Sequence, residues 1–117
     1  PNAPEFVKRY KCTRTYTGII DTSQSGAVWV ENVDSVHISL GMLDGETPET
    51  FILTLPVEGE IGEETFNALL DDTTFEQTGV FPAMFNGRFI PVDSIYIQWF
   101  TGDNVGSYYN YYGKRDL

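Results

Sequence analysis

The chain has 117 residues, seventeen carboxylates against seven basic side chains, a formal net charge of −10, one His and one Cys. Its length sets a single domain, its acidity opposes nucleic acid and anionic lipid, and one Cys cannot make an internal disulfide. Transition-metal binding and a membrane-spanning helix are also disfavoured, because the ligands are too few and no apolar run reaches the ~18–20 residues a span needs.

In chain order, Pro1 to Pro4 reads as an extended linker over residues 1–5, entering a single β-domain over 6–117 that is read as excised from a longer polypeptide. Phe6 to Ile20 is the longest β-like run. Neither of its period-2 faces is purely apolar, which suits an edge strand defended by Lys and Arg or a strand beside acidic neighbours. A loop over residues 21–26 precedes alternating runs at Ala27–Val33 and Ser35–Leu43, with a bend at Asn32-Val33-Asp34. Asp44 to Pro48 is a turn, and Phe51 to Leu55 a strand stopped by Pro56.

Glu63 to Leu70 gives the one helix candidate, with Phe66, Leu69 and Leu70 at i, i+3, i+4 and two acids in its first turn. Asn86-Gly87 between apolar runs predicts a two-residue hairpin, with Pro82 and Pro91 marking its arms as edges. Ser94 to Thr101 is the clearest strand, with Ile95, Ile97 and Trp99 on one face and Tyr96, Gln98 and Phe100 on the other. Ser107 to Tyr112 closes the sheet, Tyr109 and Tyr111 sharing one face and Tyr108, Asn110 and Tyr112 the other. The fold class is all-β: a β-sandwich or jelly-roll-like barrel with one short helix.

Catalytic signals are sparse. His37 sits between Val36 and Ile38 as a solvated strand histidine, and no nucleophile elbow or phosphate-cradling Gly loop is present, so the chain is read as no enzyme. Cys12 reads as a small buried hydrophobe. Calcium is the one cofactor the composition invites. The acid-bearing turns Asp44 with Glu46, Glu58 with Glu60, Asp71 with Asp72, and Asp103 with Asn104 are its candidate ligands, although none matches an EF-hand loop.

Aromatics crowd the C-terminal third. Tyrosine offers a large apolar body with a hydroxyl for a wet partner, so Tyr96, Phe100, Tyr109, Tyr111 and Tyr112 are the candidate interface residues. The same rings suit a carbohydrate platform. Lys8, Arg9, Lys11 and Arg14 interleave with Phe6, Tyr10 and Tyr16. The acidity of the remaining chain assigns them to pairing with acidic loops or to a domain junction.

The Pro1–Pro4 entry, the strand YKCTRTYTGII and the terminal strands SIYIQWF and SYYNYYGKRDL together give the chain a family likeness. It resembles the protruding (spike) domain of a small icosahedral RNA virus coat protein of the nodavirus type. That resemblance implies a domain at the virion surface that dimerises or trimerises, sometimes with calcium, and presents loops to a host receptor or glycan. It carries no metal ligands across, since the chain has no Asp-x-Asp signature on which to place them. The alternative is a carbohydrate-binding β-sandwich module of a secreted bacterial or phage protein.

Overall fold

The computed structural model describes residues 3–19, 28–56, 62–80, 83–91, 93–100 and 107–116. A single helical turn α1 (Ala3–Phe6) is followed by β1 (Arg9–Ile19), β2 (Val28–Gly41), β3 (Thr50–Pro56), β4 (Glu63–Asp71), β5 (Thr74–Gln77), β6 (Phe85–Ile90), β7 (Ser94–Phe100) and β8 (Tyr108–Arg115). Each strand pairs antiparallel with the next, and β8 returns to β1, closing a barrel in sequential order. The all-β barrel is therefore present, connected as an up-and-down meander rather than by jelly-roll crossings.

Period-2 alternation supplies the core. Phe51, Leu53 and Leu55 of β3 point inward, as do Ile95, Ile97 and Trp99 of β7 and Tyr109 and Tyr111 of β8. An eight-stranded barrel is just wide enough for side chains to fill, and here rings fill it. Phe6 stacks on Phe89 with centroids 4.0 Å apart. From there contacts run Phe89–Phe75, Phe75–Phe85, Phe85–Phe66, Phe66–Trp99, Trp99–Tyr109 and Tyr109–Tyr16, a column of rings from one end toward the other. Each fully buried ring contributes roughly 1.5–3 kcal/mol through apolar area alone.

The start of the chain departs from the expected linker. Ala3 and Phe6 are buried, Ala3 N donates to Pro48 O at 2.8 Å, and Tyr10 Oη donates to Phe6 O at 3.0 Å. Residues 3–5 thus belong to a turn that closes the lower end of the barrel.

Three further expectations are corrected. Glu63 to Leu70 is β4, not a helix: Phe66, Ala68 and Leu70 face inward while Asn67 and Leu69 face out, and seven register pairs to β3 fix it there. Eight residues fit either period, and tertiary pairing decides. Asn86-Gly87 lies inside β6, opposite Gln98 and Ile97, and the chain reverses instead at Asp72-Thr73, where Asp72 takes φ 58°. Gly87 is needed for room, since a Cβ there would run into the Phe75 ring and the Tyr96 carbonyl. Finally, β1 is no edge strand, because it is paired on both sides by β2 and β8.

Arg14 seals a seam in the wall. β2 pairs with β3 only from Ser39 to Gly41, so the upper part of β2 leaves β3. Arg14 is 5% exposed and crosses that gap from β1. It holds Asp34 of β2 through two hydrogen bonds and donates to Pro56 O of β3 at 3.2 Å. Of the basic residues of the first strand, Arg14 meets an acid of β2, Asp34, whereas Lys11 lies opposite Lys114 of β8. The bend expected near Asp34 is the bulge in β2, where register shifts between Arg14 and Thr15.

Candidate recognition surface

Among the described residues the interior is packed with side chains, and the outer wall of the strands presents the polar and aromatic groups. Register places outward residues in lateral rows around it. One row runs Leu69, Glu76, Asn86, Gln98, Asn110, Thr15 and Asn32 through six successive strand pairings. The next runs Asp71, Thr74, Arg88, Tyr96, Tyr112, Thr13 and Ser35. The first is dominated by amides, which both donate and accept, and the second carries two tyrosines and a cation.

The rows are bonded to one another. Tyr96 Oη donates to Asn110 Oδ1 at 3.0 Å, and Asn110 Nδ2 donates to Thr15 Oγ1 at 3.2 Å and Thr17 Oγ1 at 2.9 Å. The Arg88 guanidinium lies over the Tyr96 ring, 5.3 Å from its centroid. Among the described residues it belongs to neither the Arg14–Asp34 ion pair nor the His37–Asp116 contact. Around Arg88 the wall is concave, forming a groove of about 950 Å³ lined by Glu49, Leu69, Asp71, Glu76, Asn86, Arg88, Tyr96 and Gln98 among others. A second groove, of about 370 Å³, lies beside Tyr112 and is lined by Lys11, Thr13, Ser35 and Lys114.

The five candidate interface residues divide by face. Tyr96, Phe100 and Tyr112 are outward, with Tyr112 52% exposed. Tyr109 and Tyr111 point inward and are buried, 8% and 0% exposed, so they are core rather than presented surface. Phe100 meets Tyr108 at 5.5 Å between ring centroids, and that outer row continues through Thr17 to the exposed Val30.

Four of the candidate calcium ligands, Asp44, Glu46, Asp71 and Asp72, fall among the described residues. Asp44 and Glu46 are exposed between β2 and β3, and Asp71, the last residue of β4, and Asp72, on the turn to β5, are exposed as well. Among the described residues, no three His, Cys, Asp or Glu side chains gather as a metal-holding group. Asp103 lies outside the described residues, as do Glu58, Glu60 and Asn104.

Cys12, Tyr111 and Arg14 are buried within the barrel. Burial pushes the Cys12 thiol up to about 12, keeping it protonated and inert. Burial likewise pushes the Tyr111 phenol up to about 12, and its hydroxyl donates to Pro56 O at 3.2 Å. Burial also works against the Arg14 charge, but its bonds with Tyr111 and Asp34 outweigh this and hold its pKa above the ordinary value. His37 Nε2 lies 2.8 Å from Asp116 Oδ2 at the surface. No helix of the described residues is long and apolar enough to cross a membrane.

Sequence reasoning missed the groove. Arg88 was visible as the single basic side chain between Thr15 and Gly113, but its company is set by register across β5, β6 and β7. The fold and surface define a class: an up-and-down eight-stranded barrel with a filled interior and a polar, tyrosine-bearing outer wall. Comparison with protein-family models, curated proteins and solved structures gives no match to this chain.

Proposed function

We propose that this chain is a non-catalytic attachment domain, of the kind displayed at the surface of a small icosahedral capsid. In this reading it self-associates as a dimer or trimer and engages a host receptor through its outer wall. The observation that carries the reading is the division of the rings. The interior set fills the barrel, while on the outer face of β7 and β8 Tyr96 pairs with Tyr112 and, beyond the Gln98–Asn110 row, Phe100 pairs with Tyr108. Among the described residues the inward side chains pack against one another as one core, and this reading therefore puts recognition on the outside. Tyr112, Tyr108, Phe100 and Val30 offer the mixed apolar and hydroxyl surface that symmetric partners bury. Lys11 and Lys114 lie opposite one another to one side of Tyr112, giving an acidic copy a complementary rim.

Sedimentation equilibrium in calcium and then in chelator tests this. A dimer or trimer supports the reading, and a mass that falls in chelator adds calcium to it. A monomer at high concentration in both buffers contradicts it.

A second reading, a carbohydrate-binding module, is favoured by one specific feature: the groove around Arg88 combines amides, carboxylates and a ring-stacked guanidinium.

A further inference from the structure

We propose that the groove over β4 to β7 binds a neutral saccharide; this rests on the reading of the chain as a recognition domain and gives that domain a ligand class. The charge arrangement selects the ligand. Glu49, Asp71 and Glu76 line the groove with Arg88 among them. An anion entering it meets three carboxylates against the one guanidinium held over Tyr96, a net repulsion. A sugar hydroxyl suits both, because it donates and accepts at once. Carboxylates only accept, guanidinium only donates, and Asn86 and Gln98 do both. The groove thus presents donors and acceptors side by side, the pattern a polyhydroxylated neutral ligand complements.

Its size and rigidity agree. About 950 Å³ lies within the range of small-ligand pockets. Arg88 is held by the Tyr96 ring, and Tyr96 is held in turn by Asn110 at 3.0 Å, so little ordering remains for a ligand to impose. Leu69, 45% exposed at the groove's edge, supplies an apolar contact for sugar C–H faces.

The test is a two-dimensional amide NMR titration of the intact chain. The probes are lactose, maltotriose and chitotriose as neutral sugars, 3′-sialyllactose as an anion and a lysine-rich peptide as a cation. The expected result is saturable movement of the Thr74, Glu76, Asn86, Arg88 and Gln98 resonances with at least one neutral probe. Arg88→Ala and Gln98→Ala should each weaken that binding about tenfold or more while the spectrum stays folded, as outward positions allow. Preference for 3′-sialyllactose or the peptide in the groove, or neutral binding on another sector, overturns the inference and leaves the attachment reading standing. Absence of binding by all three neutral probes overturns it too, and the attachment reading is then decided separately by sedimentation.

Discussion

Arg14 and Asp34 form a two-pronged ion pair, Nε to Oδ1 at 3.0 Å and Nη2 to Oδ2 at 2.7 Å, where β2 parts from β3. The guanidinium is buried and the carboxylate is 42% exposed, so the two ends contribute unequally. Removing Asp34 leaves a buried charge with only Pro56 O, the Tyr111 hydroxyl and the Tyr109 ring as company. Asp34→Ala should therefore destabilise the barrel by about 2–3 kcal/mol, below the full buried-pair penalty because water reaches Asp34. Arg14→Met should cost about 1 kcal/mol or less, since a volume-matched apolar side chain removes the charge along with its need for a partner. Urea titration of both variants checks the asymmetry.

Gly113 and Gly87 are fixed by space rather than by φ. A Cβ on Gly113 would strike the Lys11 carbonyl, Cys12 Cα and Cys12 Sγ, backbone and core atoms with nowhere to go. Gly113→Ala should destabilise by about 3 kcal/mol or fail to fold. By contrast, Gly41→Ala meets nothing within 4 Å and should change stability by less than about 1 kcal/mol. Thermal denaturation of the two alanine variants side by side reads the difference.

Alkaline pH should unfold this protein earlier than its surface suggests. Burial raises Cys12 from 9.0 and Tyr111 from 10.0 to about 12 each, and raises Tyr10 above 10.0. All three are neutral when protonated, so the folded state binds their protons more tightly than the unfolded chain does. Their stabilisation is complete below about pH 9 and is lost as pH rises from there toward 12. The loss is about 1.4 kcal/mol per pH unit for each group past its ordinary value. Tyr111→Phe should flatten the slope above pH 10 while sacrificing about 1 kcal/mol at pH 7 for the lost bond to Pro56 O. Chemical denaturation at a series of pH values checks both the onset and the flattening. The same burial predicts that Cys12 resists a thiol reagent until the chain is unfolded.

Much of the fold was legible because alternation is a local signal. The two faces of β7 and β8 were assigned correctly by period 2 alone, and the bulge near Asp34 was visible as a break in it. What local pattern could not supply was which face lay inside. Tyr109 and Tyr111 were grouped with Tyr112 as interface rings, although they occupy the opposite face of the same strand. Phe66, Leu69 and Leu70 fit a helical stripe as well as Phe66, Ala68 and Leu70 fit a strand. Only the pairing to β3 separated them. Asn86-Gly87 carried turn chemistry in sequence, whereas its glycine answers to the Phe75 ring from the neighbouring strand. The amide row and Arg88 groove needed register across several strands, which no single segment encodes.

Tyr112 separates assembly from folding. Its side chain is 52% exposed beside Thr13 and Tyr96, and truncation there removes no core packing. Tyr112→Ala should leave stability within about 0.5 kcal/mol of the parent while weakening self-association at least about tenfold, by the behaviour of central interface tyrosines. Denaturation and concentration-dependent light scattering measure the two effects independently.

The most direct measurement is sedimentation equilibrium of the parent chain beside Tyr112→Glu, at matched concentrations. The account predicts a dimer or trimer for the parent and a folded monomer for the variant, because a carboxylate is placed within the sector proposed to be buried between copies. A parent that sediments as a monomer, or a variant that assembles as well as the parent, would contradict it.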